Sequence, residues 1–150
     1  VPGAARAALV AEFRAHHRER CLWRLLDPDA VPTLDALRAR GLALGVVSNA
    51  DGRIEADLAR LGVRDRLVTV VDSHVVGVEK PDPAVFRLAL DAMGVSAAAA
   101  LYVGDLYAID VVGARRAGLE AVLLDPLDRY PGDVDCPRIT RLGALLDLLP

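Results

Sequence analysis

Short runs of aliphatic residues without polar alternation, each followed by a polar turn and a helix-patterned stretch, recur along this chain and restrict the folds open to it. They are Leu42 to Val47, Leu67 to Val71, Ala100 to Val103 and Glu120 to Leu124. An apolar run of this length fits a strand covered on both faces, as in a parallel sheet, better than a half-exposed strand. The stretches between them carry helix punctuation. Val31 or Pro32 to Arg40 stops at Gly41, and Arg53 to Leu61 stops at Gly62. Asp82 followed by Pro83 is an N-cap with proline at the first helical position, opening a helix to Met93 that stops at Gly94. Ile109 to Ala117 stops at Gly118, and Thr140 to Leu149 is a last helical segment. Ala4 to Leu26 reads as an Arg-rich amphipathic helix ended by Pro28. Strands alternating with helices require crossover connections, so the chain is expected to form an open parallel α/β sheet flanked by helices, the Rossmann-like arrangement.

A chain of 150 residues, 53% hydrophobic and 26% charged, is one domain's worth of globular sequence. No apolar run approaches the roughly 18 or more residues that a bilayer crossing needs. A net charge of −3 with scattered arginines argues against nucleic acid or an anionic membrane as partner. Cys21 and Cys136 have neither metal-ligand nor redox-pair spacing, which makes a reducing cytoplasm the expected compartment. Only six aromatic side chains occur, Phe13, Trp23, Phe86, Tyr102, Tyr107 and Tyr130, so the core has to be aliphatic.

In open α/β sheets ligands bind at the carboxyl ends of the strands, and the uncommon polar residues fall there. Ser48 and Asn49 end one strand, Lys80 precedes the Asp82 helix, and Asp105 and Asp110 follow another strand. Lys80 is the only lysine, the rest of the 18 basic residues being arginine, and Asn49 is the only asparagine. A compact ammonium kept in an arginine-using sequence suits a place that needs a point charge on a flexible stem. A hydroxyl, an amide and an ammonium can hold phosphate oxygens, and a carboxylate pair can hold a hard cation such as Mg²⁺.

Three strings carry a family resemblance: Val46-Val47-Ser48-Asn49-Ala50-Asp51, Gly77-Val78-Glu79-Lys80-Pro81-Asp82-Pro83, and Tyr102-Val103-Gly104-Asp105 running on through Asp110 to Gly118. In this order they resemble the second, third and fourth motifs of the haloacid dehalogenase-like (HAD) hydrolases, over about residues 31 to 149. The phosphatase-type branch with a helical cap is the most similar. The resemblance implies Mg²⁺-dependent hydrolysis of a small phosphorylated metabolite through an aspartyl-phosphate. It assigns the phosphoryl group to Ser48, Asn49 and Lys80, with Lys80 also catalytic, and the metal to Asp105 and Asp110. Asp110 would hold a metal-bound water or orient Lys80. The dehalogenase branch uses no metal and lacks the Gly-Asp pair present here as Gly104-Asp105.

The first motif of that family, an apolar strand ending in Asp-x-Asp, has no counterpart. Asp27-Pro28-Asp29 has the spacing but follows a charged segment, and too few residues separate it from Ser48; it reads as a turn and helix start. Asp133-Val134-Asp135 comes too late and lacks an apolar strand before it. The expectation is therefore a core from residue 28 to 150 without its first, central strand, preceded by a cap remnant over residues 1 to 27. Such a chain, truncated and without a nucleophile, would be inactive by itself. A non-catalytic phosphate-binding or regulatory protein is the rival reading. A receiver-type domain also combines carboxylates, lysine and Mg²⁺, but there the acidic pair precedes the lysine, the reverse of the order here.

Overall fold

The computed structural model describes residues 3–19 and 25–149. Chain order is α1 (Gly3–Glu19), α2 (Ala30–Ala39), β1 (Gly45–Ser48), α3 (Ile54–Arg60), β2 (Thr69–Asp72), α4 (Ser73–Val76), α5 (Pro83–Met93), β3 (Leu101–Gly104), α6 (Val112–Arg116), β4 (Glu120–Leu124), β5 (Arg138–Ile139) and α7 (Leu145–Leu148). All strand pairs are parallel, in two sheets: β1 beside β2, and β3, β4, β5 in that order. This is the expected Rossmann-like α/β architecture. Among the described residues no ladder joins β1 to β3, so each leaves a backbone edge unpaired towards the other.

Two apolar layers cover the β3–β4 sheet. Tyr102, Ala121 and Leu123 pack on one face with Val85, Phe86 and Ala89 of α5 and Ala114 of α6. Leu101, Val103 and Val122 pack on the other with Leu37 of α2 and Leu145 of α7. Successive β4 residues point to opposite faces, and both faces are covered, which is why its sequence shows no alternation.

Helix punctuation acts as the sequence foretells. The Asp82 side chain accepts from the Ala84 N–H at 2.9 Å, and Gly94 takes φ 66° at the helix end. Asp27 lies in a turn in which its carboxylate accepts from the Asp29 N–H at 2.8 Å, just ahead of α2. It is not on a strand.

Several element boundaries differ. The strand expected from Leu42 begins at Gly45, with Leu42 exposed, and β1 is only half-buried rather than covered on both faces, because one of its edges lacks a neighbour. The strand expected at Leu67 begins at Thr69. Thr140 to Leu149 is not one helix: a short strand β5, formed by pairing with β4, precedes it, and a 3₁₀ turn at Leu142–Ala144 leads into α7. Ile109 to Ala117 divides into a π-helical turn, Tyr107–Val111, and α6. The first helix is described from Gly3 to Glu19, and Leu25 to Asp27 are not helical; Cys21 lies outside the described residues.

Candidate active site

The loop after β1 is built by β2. The buried Asp72 carboxylate accepts from the backbone N–H groups of Gly52 at 2.9 Å and His74 at 2.9 Å. Ser73 Oγ accepts from the Ala50 N–H at 3.1 Å. These bonds fix the turn that follows Ser48 and Asn49. Asn49 then reaches the neighbouring loop: its amide donates to the Lys80 carbonyl at 2.9 Å and its oxygen accepts from the Lys80 N–H at 2.8 Å. The side chain of Asn49 is thus a two-point clamp on the Lys80 main chain. The Lys80–Pro81 peptide is cis.

Lys80 turns its ammonium inward. Nζ lies 2.7 Å from Asp110 Oδ1 and 3.0 Å from the Tyr102 hydroxyl, with side-chain exposures of 12% for Lys80 and 3% for Asp110. The other Asp110 oxygen accepts from the Leu106 N–H at 2.9 Å. Gly104 makes this approach possible: a Cβ there would stand 2.4 Å from Asp110 Cβ and Cγ. Both Asp110 oxygens are therefore engaged, one by the Lys80 ammonium and the other by the Leu106 N–H.

Tyr102 ties the two sheets together. Its hydroxyl, on β3, lies 3.2 Å from the Val47 carbonyl on β1 and 3.3 Å from Asp110 Oδ1, and its ring meets Phe86 edge-on at 4.9 Å between centroids. Burial, with the Asp110 carboxylate beside it, pushes the phenol well above its ordinary value. The sequence reading places Tyr102 in the third string but gives it no role at the site. The available signal was a phenol two positions before Gly104 in a chain with few aromatics, since alternation along a strand puts Tyr102 and Gly104 on the same face.

Asp105 stands just beyond β3 with its side chain 55% exposed, and its carboxylate pairs with Arg129 at 2.9 Å. Arg129, Tyr130 and Asp125 were also missed as neighbours of the site. Mg²⁺ binds through one or two carboxylates and fills its remaining positions with water and phosphate oxygens. An accessible carboxylate at the carboxyl end of a strand fits that demand, although among the described residues no group of three or more His, Cys, Asp or Glu side chains gathers to enclose an ion.

Side chains from the ends of β1 and β3 and from the loop before α5 thus meet at one end of a Rossmann-like domain. Residues 2–118 match the family model described as haloacid dehalogenase-like hydrolase, and the chain belongs to that family. The haloacid dehalogenase-like hydrolase domain-containing protein 3 of Mus musculus is 40% identical over 135 residues, covering 85% of this chain and 53% of the relative. The glyceraldehyde 3-phosphate phosphatase of Methanopyrus kandleri is 36% identical over 148 residues, covering 94% of this chain and 64% of the relative. A HAD phosphatase crystal structure from Thermococcus onnurineus superposes with a TM-score of 0.77 at 31% identity, covering 82% of this chain and 57% of the other. The chain spans about half to two thirds of the length of these proteins.

Proposed function

We propose that this chain is the phosphate- and magnesium-handling part of a phosphomonoester hydrolase that acts on small phosphorylated metabolites in the cytoplasm. The observation that carries the reading is the convergence of the Asn49 clamp, the Lys80–Asp110 pair and Asp105 at the carboxyl ends of parallel strands. Ser48, at the tip of β1, takes phosphoryl oxygens. Lys80 adds the positive charge that a transferring phosphoryl group needs, held in place by Asp110 and by the Asn49 clamp beside Ser48. Asp105 is the carboxylate that takes Mg²⁺, with Asp110 behind it. Bound there, the ion supplies charge neutralisation for a phosphate approached by an anionic nucleophile.

The attacking aspartate, which forms the aspartyl-phosphate, stands in this proposal on a further strand between the unpaired edges of β1 and β3, supplied from outside these 150 residues. Residues 1–27 are the last part of a helical cap; the exposed Leu9 and Phe13 on α1 are the kind of apolar surface other cap helices would cover. By itself the chain binds phosphate without turning it over.

Calorimetry of inorganic phosphate with Mg²⁺ tests the binding half, and Lys80→Ala is expected to abolish the signal. Steady hydrolysis of a generic phosphomonoester by this chain alone, abolished by Asp105→Ala, would place the nucleophile within the chain and overturn the second half.

A further inference from the structure

The segment after β4 folds back on a buried anchor. Asp125 is 0% exposed, and its carboxylate accepts from the backbone N–H groups of Arg129 at 2.9 Å and Tyr130 at 3.2 Å. Asp128 turns the loop with φ 49°. The charge of Asp125 is met by Arg138, whose Nη1 lies 3.5 Å from Oδ2 and 3.2 Å from Asp128, so the Arg129 guanidinium is left for another partner. That partner is Asp105. Arg129 Nη2 lies 2.9 Å from Asp105 Oδ2 and 3.4 Å from the Asp105 carbonyl. The Tyr130 hydroxyl lies 3.3 Å from the same carbonyl, and it accepts from the Tyr107 N–H at 2.9 Å.

We infer that Arg129 is a built-in counter-ion of Asp105 that competes with a divalent cation for this carboxylate. The inference rests on the proposed role of Asp105 and adds a regulation of that site. Arg129 holds Asp105 Oδ2, and a dication on the same carboxylate is repelled by the guanidinium, so its binding gains when Arg129 is displaced. The displacement is local: the backbone of Arg129 stays tied to Asp125, and only a side chain 42% exposed swings away. The site trades cation affinity for a carboxylate that is never left uncompensated.

Titration of MgCl₂ into the 150-residue chain by calorimetry at low ionic strength tests this with three variants. Arg129→Gln removes the competitor at an exposed side chain, Asp105→Asn removes the ligand, and Arg87→Gln removes one positive charge from α5. Arg129→Gln is expected to tighten Mg²⁺ binding about two- to fivefold, the worth of an exposed ion pair, and the gain should shrink in high salt. Arg87→Gln should change affinity by less, and Asp105→Asn should abolish binding in every background. Binding seen only in Arg129→Gln also supports the inference. Unchanged or weaker binding in Arg129→Gln, or an equal gain in Arg87→Gln, overturns it while leaving Asp105 as the ligand. Binding that survives Asp105→Asn, or no binding in any variant, defeats the role of Asp105 and the inference with it.

Discussion

Replacing Lys80 by methionine keeps most of the stem volume and removes the charge. Asp110 would then be an anion at 3% side-chain exposure without its ammonium at 2.7 Å. Breaking a buried pair from one side costs about 3–5 kcal/mol, because the remaining charge stays desolvated. Asp110 keeps the Leu106 N–H at 2.9 Å and the Tyr102 hydroxyl at 3.3 Å, which places the expected loss near the lower end, about 3 kcal/mol. The same reasoning fixes the sign of a double variant. Lys80→Met with Asp110→Asn has no uncompensated buried charge and should be more stable than Lys80→Met alone, by about 1–2 kcal/mol. Urea denaturation at neutral pH followed by circular dichroism gives the four stabilities of the cycle. Equal stability of Lys80→Met and the double variant, or a loss below about 1 kcal/mol in Lys80→Met, the range of exposed pairs, would refute the argument.

Gly104→Ala should cost at least about 1–3 kcal/mol and disturb phosphate binding together with stability, since the added methyl lands 2.4 Å from Asp110 Cβ and Cγ; denaturation and calorimetry on one preparation check both. Phe86→Ala, at a ring only 1% exposed that packs on Tyr102, should cost about 3–5 kcal/mol, read from the denaturation midpoint. The Arg66 guanidinium holds Asp35 below its ordinary 3.8 through bonds of 2.7 and 2.9 Å. A depressed folded value gives stability that is present above pH 3.8 and lost as pH falls through the folded value. Carboxylate NMR should show Asp35 titrating below 3.8 and returning towards it in Arg66→Gln.

Where the strands differ from the sequence reading, pairing is the cause. Nothing within Arg138 and Ile139 marks a strand; they become one by lying beside Leu123 and Leu124 of β4. In the sequence Asp125 is one of four aspartates within residues 125–135, and only the folded loop shows it buried and bonded to two N–H groups of its own segment. Asn49 stood out by being unique, yet its use as a clamp on Lys80, 31 residues away, has no local signature.

The sequence by itself determined the alternation of β1 to β4 with the helices α2, α3, α5 and α6, the Asp82-Pro83 and glycine boundaries, and the residue types gathered at the strand ends. Those features follow from backbone propensity and side-chain periodicity, which act over a few residues. Only the tertiary structure decided that Lys80 meets Asp110 across 30 residues under a Tyr102 hydroxyl, that Arg129 sits on Asp105 across 24, and that β1 and β3 face each other unpaired. Partners distant in the chain are chosen by how the apolar layers pack, and packing sums contributions from many residues at once, which no local pattern encodes.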